Sequence, residues 1–118
     1  MLDDELRVTV RDSGPVKVID LEGDVTTFAL DKVRNAFAEA ARDDARSILL
    51  YFRQNDYINS RGIAILIEQV HQASKAGRTV AICGLSDHFQ NIFRMVGLTQ
   101  YLNIYQTEAE ALAALTQH

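Results

Sequence analysis

The chain has 118 residues, 47% of them hydrophobic, with twelve Lys and Arg set against sixteen Asp and Glu for a formal charge of -4. A chain of this size buries about two thirds of its unfolded surface as one domain, without metals or disulfides. The acidic balance and scattered basic residues exclude a nucleic-acid surface, which needs clustered Lys and Arg to displace counterions.

No N-terminal stretch has the charged-then-apolar layout of a signal peptide, and the apolar runs are too short to cross a bilayer. A cytoplasmic location without direct membrane insertion is therefore expected. Residues 1–118 are read as a single domain that makes up the whole protein.

Leu6 to Val10 alternates apolar and polar residues, and Val16 to Leu21 nearly repeats the pattern after the Gly14-Pro15 turn, which predicts an antiparallel hairpin ended by Gly23. From about Thr27 to Arg42, Leu30, Val33, Phe37 and Ala40 recur every three or four residues, as on an amphipathic helix. The apolar run Ser47 to Phe52 predicts a strand, and Arg53 to Asn59 a loop.

A second helical pattern begins at Ile63 with the inward stripe Ile63, Leu66, Ile67, Val70 and Ala73, and Gly77 can cap it. Thr79 to Cys83 reads as the next strand. Cys83 is the single cysteine and reads as a small core residue.

Ser86 fits the N-cap of a short helix with Phe89, Ile92, Phe93 and Val96 inward, stopped at Gly97, with Leu98 folded back over its end. A brief strand around Asn103 to Tyr105 leads into Thr107-Glu108-Ala109-Glu110, a capping-box pattern, and a final helix carrying Leu112 and Leu115. The order predicts an α/β domain with a mixed sheet of four to five strands, an antiparallel N-terminal hairpin, right-handed parallel crossovers and about four helices.

Asn59-Ser60-Arg61-Gly62 stands at the mouth of a strand-loop-helix unit, where free backbone N–H groups and the positive end of the helix dipole favour anions. Ser60 in that place is either a simple N-cap or a site for adding a phosphoryl group. Helical spacing places Arg61, Ile65, Glu68 and Gln72 on one stripe away from the inward face, which would leave Ile65 exposed near Ser60 or partly covered by a neighbouring loop. His71, His88 and His118 are too differently placed to form a ligand set. Asp56 follows a strand as in a receiver domain, but the acidic cluster expected after the first strand is missing, and no nucleophile, base and orienting group stand together. Nothing in the chain calls for a cofactor, a metal or an enzymatic activity.

Several segments together resemble the STAS domain of bacterial anti-sigma factor antagonists. These are Leu21-Glu22-Gly23-Asp24-Val25, Ile48 to Phe52, Tyr57 to Ile63, Thr79 to Cys83, Ile92 to Leu98 and Ile104 to Leu112. In that family the segment after the third strand is typically Asp-Ser-Ser-Gly or Asp-Ser-Thr-Gly. Its first Ser is phosphorylated by an anti-sigma factor acting as a kinase.

Ser60 matches that acceptor and Gly62 the glycine, while Asn59 replaces the acidic residue and Arg61 the second hydroxyl residue. The resemblance implies an anti-sigma factor with serine kinase activity as partner, a serine phosphatase as a further one, and a partner surface at Asp24, Thr26, Thr27, Asn59, Arg61, Gly62 and Ile65. The local reading instead makes Thr26 or Thr27 the cap of the first helix. The alternative to the switch is a STAS subunit of a transporter or sensory scaffold in which Ser60 is only a cap.

Overall fold

The computed structural model describes residues 6–53 and 57–116, so Asp56, the middle of the predicted loop and His118 lie outside the described residues. Five strands, β1 (Arg7–Ser13), β2 (Val16–Glu22), β3 (Ser47–Phe52), β4 (Thr79–Cys83) and β5 (Leu102–Tyr105), lie side by side in sequence order. The helices are α1 (Leu30–Arg42), α2 (Ser60–Lys75), α3 (Asp87–Met95) and α4 (Glu108–Thr116). Single 3-10 turns stand at Thr27–Ala29 and Leu98–Gln100.

β1 and β2 pair antiparallel around Gly14 and Pro15, with Ser13 opposite Val16, and every later pairing is parallel. Gly14 takes a positive φ of 57°, which glycine adopts without steric cost and which suits the tight turn of a hairpin. The hairpin is longer than the alternation suggested, because β1 continues through Arg11 and Asp12 to the turn itself.

Alternation along the strands sorts the side chains into two cores. Ile19 and Leu21 of β2, Ile48, Leu50 and Phe52 of β3, and Val80 and Ile82 of β4 face α1, α2 and α3. Val16, Val18, Leu49, Ala81 and Cys83 point to the other face, which α4 covers with Ala111 and Leu115. Burial on both faces explains why β3 reads as a continuous apolar run rather than an alternating one.

The helix ends follow their local chemistry. At the end of α2, Gly77 N–H donates to Ser74 O at 3.0 Å and Arg78 N–H to Ala73 O at 3.0 Å, and Gly77 sits at φ 85°. That is a Schellman turn, in which glycine tolerates the left-handed residue. Gly97 at φ 82° ends α3 in a left-handed conformation, and Leu98 beyond it is buried as expected.

One inward assignment and one capping pattern are corrected by the structure. Val96 is 46% exposed, because it lies at the C-cap of α3, where the chain turns through Gly97 and the helical face no longer continues. In α4, Glu110 N–H donates to Thr107 Oγ1 at 3.1 Å, but the Glu110 carboxylate accepts from Gln106 N–H at 3.2 Å, one residue before the position a regular capping box would use.

Candidate functional site

Strands β2, β3 and β4 run parallel and finish on one rim of the sheet, and the segments leaving β2 and entering α2 meet there. Val25 N–H donates to Tyr57 O at 2.7 Å and Asn59 N–H donates to Val25 O at 3.1 Å, which makes a short parallel bridge between Val25 and Ile58. Tyr57 N–H donates to Asp24 Oδ1 at 3.2 Å. Asp24 and Ser60 are distant in sequence but share this rim because these bonds, with Val25 and Ile58 buried beneath them, hold the two segments together.

The cap of α2 is Asn59, not Ser60. Its backbone is extended, with φ -85° and ψ 178°, and its Oδ1 accepts from Gly62 N–H at 2.8 Å. Ile63 N–H donates to Asn59 O at 2.9 Å as the first helical bond. The helix thus starts three residues before Ile63, with Ser60 as its first residue, exposed to solvent and relieved of capping. An amide oxygen caps as well as a carboxylate oxygen does, so replacing the family's acidic residue with Asn59 keeps the helix start intact.

Gly62 lies inside the first helical turn and is buried. A Cβ there would stand 2.4 Å from Val25 O, 2.9 Å from Val25 Cγ1 and 3.1 Å from Ile58 Cγ2. The glycine is therefore required by the close approach of the Val25 strand-like segment, not by a turn. Its contribution to the rim is support from beneath.

Ile65 is only 4% exposed, which corrects its assignment as a surface contact. The stripe containing Arg61, Ile65 and Glu68 faces α1, whose Arg34 reaches Glu68 at 3.7 Å, so α2 buries a wider arc than a helix packed on a sheet alone. Arg61 remains exposed at the head of the furrow between α1 and α2, beside Leu30, Arg34 and Ala64. Thr26 precedes the 3-10 turn, but its side chain makes no capping hydrogen bond, and Thr27 is exposed. The capping role expected of these threonines is not seen, and both stand beside Asp24 on the rim.

Other reactive side chains are occupied structurally. Burial, reinforced by the nearby Glu108 and Asp20 carboxylates, pushes the Cys83 thiol up to about 12, so it remains protonated and unreactive at neutral pH. Arg11 binds Glu108 at 2.9 Å and lies 3.7 Å from Asp20, fastening the start of α4 to the sheet. His71 packs against Tyr101 and His88 against Phe89, with ring centroids 5.3 and 4.9 Å apart. Among the described residues, no group of three His, Cys, Asp or Glu is placed to hold a metal, and no helix is long and apolar enough to cross a membrane.

The rim also contains a residue that helical periodicity passes over. Tyr57 is 55% exposed, and its ring stands edge-on to Phe89, with centroids 6.4 Å apart. Its signal in the sequence is faint, an aromatic residue shortly before a capping Asn. The contact with Phe89 is formed only when α3 folds against the rim.

The sequence profile of the STAS domain family matches residues 7–111. The chain belongs to the STAS domain family. Among curated STAS relatives, it is 23% identical over 111 residues to the anti-sigma F factor antagonist of Paenibacillus polymyxa, covering 93% of this chain and 95% of that one.

The STAS fold is equally evident in solved structures. An anti-sigma factor antagonist from Mycobacterium paratuberculosis superposes with a TM-score of 0.83 at 17% identity, over 98% of this chain and 97% of its own. The anti-sigma factor antagonist SpoIIAA in its unphosphorylated form gives a TM-score of 0.73 at 16% identity, over 92% and 95% of the two chains. The phosphorylated form of Bacillus SpoIIAA gives 0.67 at 17% identity, over 93% and 98%.

Proposed function

We propose that this STAS protein is a cytoplasmic anti-sigma factor antagonist that binds an anti-sigma factor through the rim around Ser60 and is released when that partner, acting as a serine kinase, phosphorylates Ser60. The observation that carries this reading is the division of labour at the start of α2: Asn59 caps the helix and leaves the Ser60 hydroxyl exposed. The relatives support it, since the similar proteins are named as anti-sigma factor antagonists and one of them has been solved in a phosphorylated form.

The switch acts through the difference between free and bound states. A phosphoryl group on Ser60 adds about -1.5 to -2 charges, which the helix start accepts with a gain of about 0.3 to 1 kcal/mol in the free protein. Arg61, one residue further on, adds a guanidinium suited to charge-assisted bonding of phosphoryl oxygens. In a packed interface the same charge disrupts polar contacts at a cost of about 2 to 5 kcal/mol, which is about thirty-fold or more in affinity. No change of fold is needed, and a serine phosphatase returns the protein to its binding state.

The surface that contacts the partner is assigned to Asp24, Thr26, Thr27, Asn59, Ser60 and Arg61, with Gly62 supporting it and Ile65 held inside. Isothermal titration of the anti-sigma factor with wild type, Ser60→Ala and Ser60→Asp tests the reading, with thermal unfolding measured alongside. Ser60→Ala is expected to bind like wild type and Ser60→Asp about thirty-fold or more weakly, with Ser60→Ala about as stable as wild type and Ser60→Asp as stable or more so by up to about 1 kcal/mol. Equal binding of Ser60→Asp and wild type would overturn the switch.

A further inference from the structure

Tyr57 is built as an anchor. Its N–H is held by Asp24 Oδ1 at 3.2 Å and its carbonyl by Val25 N–H at 2.7 Å, while Asn59 N–H donates to Val25 O at 3.1 Å to close the bridge beside it. The ring rests edge-on against Phe89, which is itself buried and in ring contact with His88. Folding has thus fixed the backbone and one side of the ring, yet more than half of the residue, 55%, remains open to solvent.

An exposed aromatic on a fixed backbone is the usual form of an interface anchor, because little freedom remains to be lost on binding. Two features identify the group it suits. The exposed tyrosine supplies an aromatic group, and the Asp24 carboxylate accepts from the backbone N–H of the same residue, so the rim carries a negative charge and an aromatic side chain at one position. A guanidinium satisfies both, by stacking on the ring and pairing with the carboxylate. The chain uses the same geometry internally, where the Arg53 guanidinium carbon lies 4.9 Å from the centre of the Tyr51 ring.

We infer that Tyr57, backed by Phe89 and flanked by Asp24, receives an arginine side chain of the anti-sigma factor, which makes it a specificity-determining contact that extends the Ser60 surface toward α3. This rests on the proposed function, since it names a contact within that interface. It also places the partner's cation beside Ser60, where a phosphoryl group would compete with Tyr57 and Asp24 for it.

The test is titration of the anti-sigma factor with wild type, Tyr57→Phe, Tyr57→Leu and Tyr57→Ala, with a thermal melt of each. Tyr57→Phe keeps the π face and is expected to bind within about threefold of wild type. Tyr57→Leu keeps apolar bulk without the ring and is expected to bind about tenfold more weakly, and Tyr57→Ala about thirtyfold more weakly, each melting a few degrees lower for loss of the Phe89 contact but fully folded at the titration temperature.

If Tyr57→Leu binds like wild type while Tyr57→Ala does not, the anchor is merely apolar and the arginine assignment is overturned. If all three variants bind like wild type, Tyr57 is no anchor. If wild type itself fails to bind any anti-sigma factor, the proposed function falls and this contact with it. Binding by wild type that is unaffected in Tyr57→Ala overturns the contact alone.

Discussion

Two helices begin on the same rim with a serine near the start, and the two serines differ in what their hydroxyls do. At α3, Ser86 is the cap, and its Oγ accepts from Phe89 N–H at 3.3 Å. At α2, the residue before the serine takes that role, with Asn59 Oδ1 accepting from Gly62 N–H at 2.8 Å, and Ser60 is left exposed as the first helical residue. A shift of one position relative to the cap therefore separates a structural serine from one whose hydroxyl can be modified. Each start also has a glycine beneath it, Gly84 before α3 and Gly62 within α2, where another segment of backbone comes too near for a side chain.

The largest expected effect is at the first of these supports, Gly84. A Cβ at Gly84 would stand 1.8 Å from Phe52 O, and Gly84 holds a φ of 84°. Gly84→Ala should lower unfolding stability by about 3 kcal/mol in urea denaturation, from steric overlap and left-handed strain together. Gly62→Ala meets Val25 O without the adverse φ and should cost about 2 kcal/mol, with faster hydrogen exchange at the amides of Val25 and Asn59 that hold the bridge.

The caps divide the two serines more finely. Ser86→Ala and Asn59→Ala should each cost about 1 kcal/mol in the same measurement, whereas Ser60→Ala should stay within about 0.5 kcal/mol of wild type. A loss at Ser60 equal to that at Ser86 would break the comparison.

A smaller effect separates the rim from the opposite end of the sheet. There Lys17 binds Asp12 and Asp43 at 2.6 and 2.8 Å, tying the hairpin turn to the end of α1. Hydrogen bonding to Lys17 holds the Asp43 carboxyl below the usual carboxylate range, and Asp12 and then Asp43 raise the Lys17 ammonium above its ordinary value. The Asp43 contribution is present above the unfolded carboxylate pKa, about 4, and is lost as pH falls through the lowered folded value. The Lys17 contribution is present below the unfolded lysine pKa, about 10.4, and is lost as pH rises through the raised one. Thermal melts across pH should therefore show a flat contribution at neutral pH, and Asp43→Asn should reduce the acid-side decline while leaving binding at the rim unchanged.

How much of this was legible in the sequence depended on how local the cause was. The strands Ser47–Phe52 and Thr79–Cys83 were delimited by apolar runs alone, and Ser86, Gly77 and Gly97 declared their helix ends because capping and left-handed turns need particular residues nearby. Asn59 and Ser60 are both good capping residues, so periodicity could not decide which one begins the helix.

Tertiary causes were hidden. Ile65 is buried because α1 crosses the stripe that helical spacing turned outward, and Gly62 is needed because Val25 passes over it. Asp24 and Ser60 were joined only by family resemblance until the Val25 and Ile58 bridge gave that proximity a structural cause. Tyr57 carries no periodic signal, and its position against Phe89 depends on two helices and a bridge folding together.

The most direct test is to incubate the protein and ATP with its anti-sigma factor and locate phosphate by peptide mass spectrometry, using Ser60→Ala as control. The account predicts one phosphoryl group on Ser60, none on Ser86, and none on the Ser60→Ala variant. Phosphate on Ser86, or an unmodified Ser60 in a protein that binds this partner with the kinase active, would contradict it.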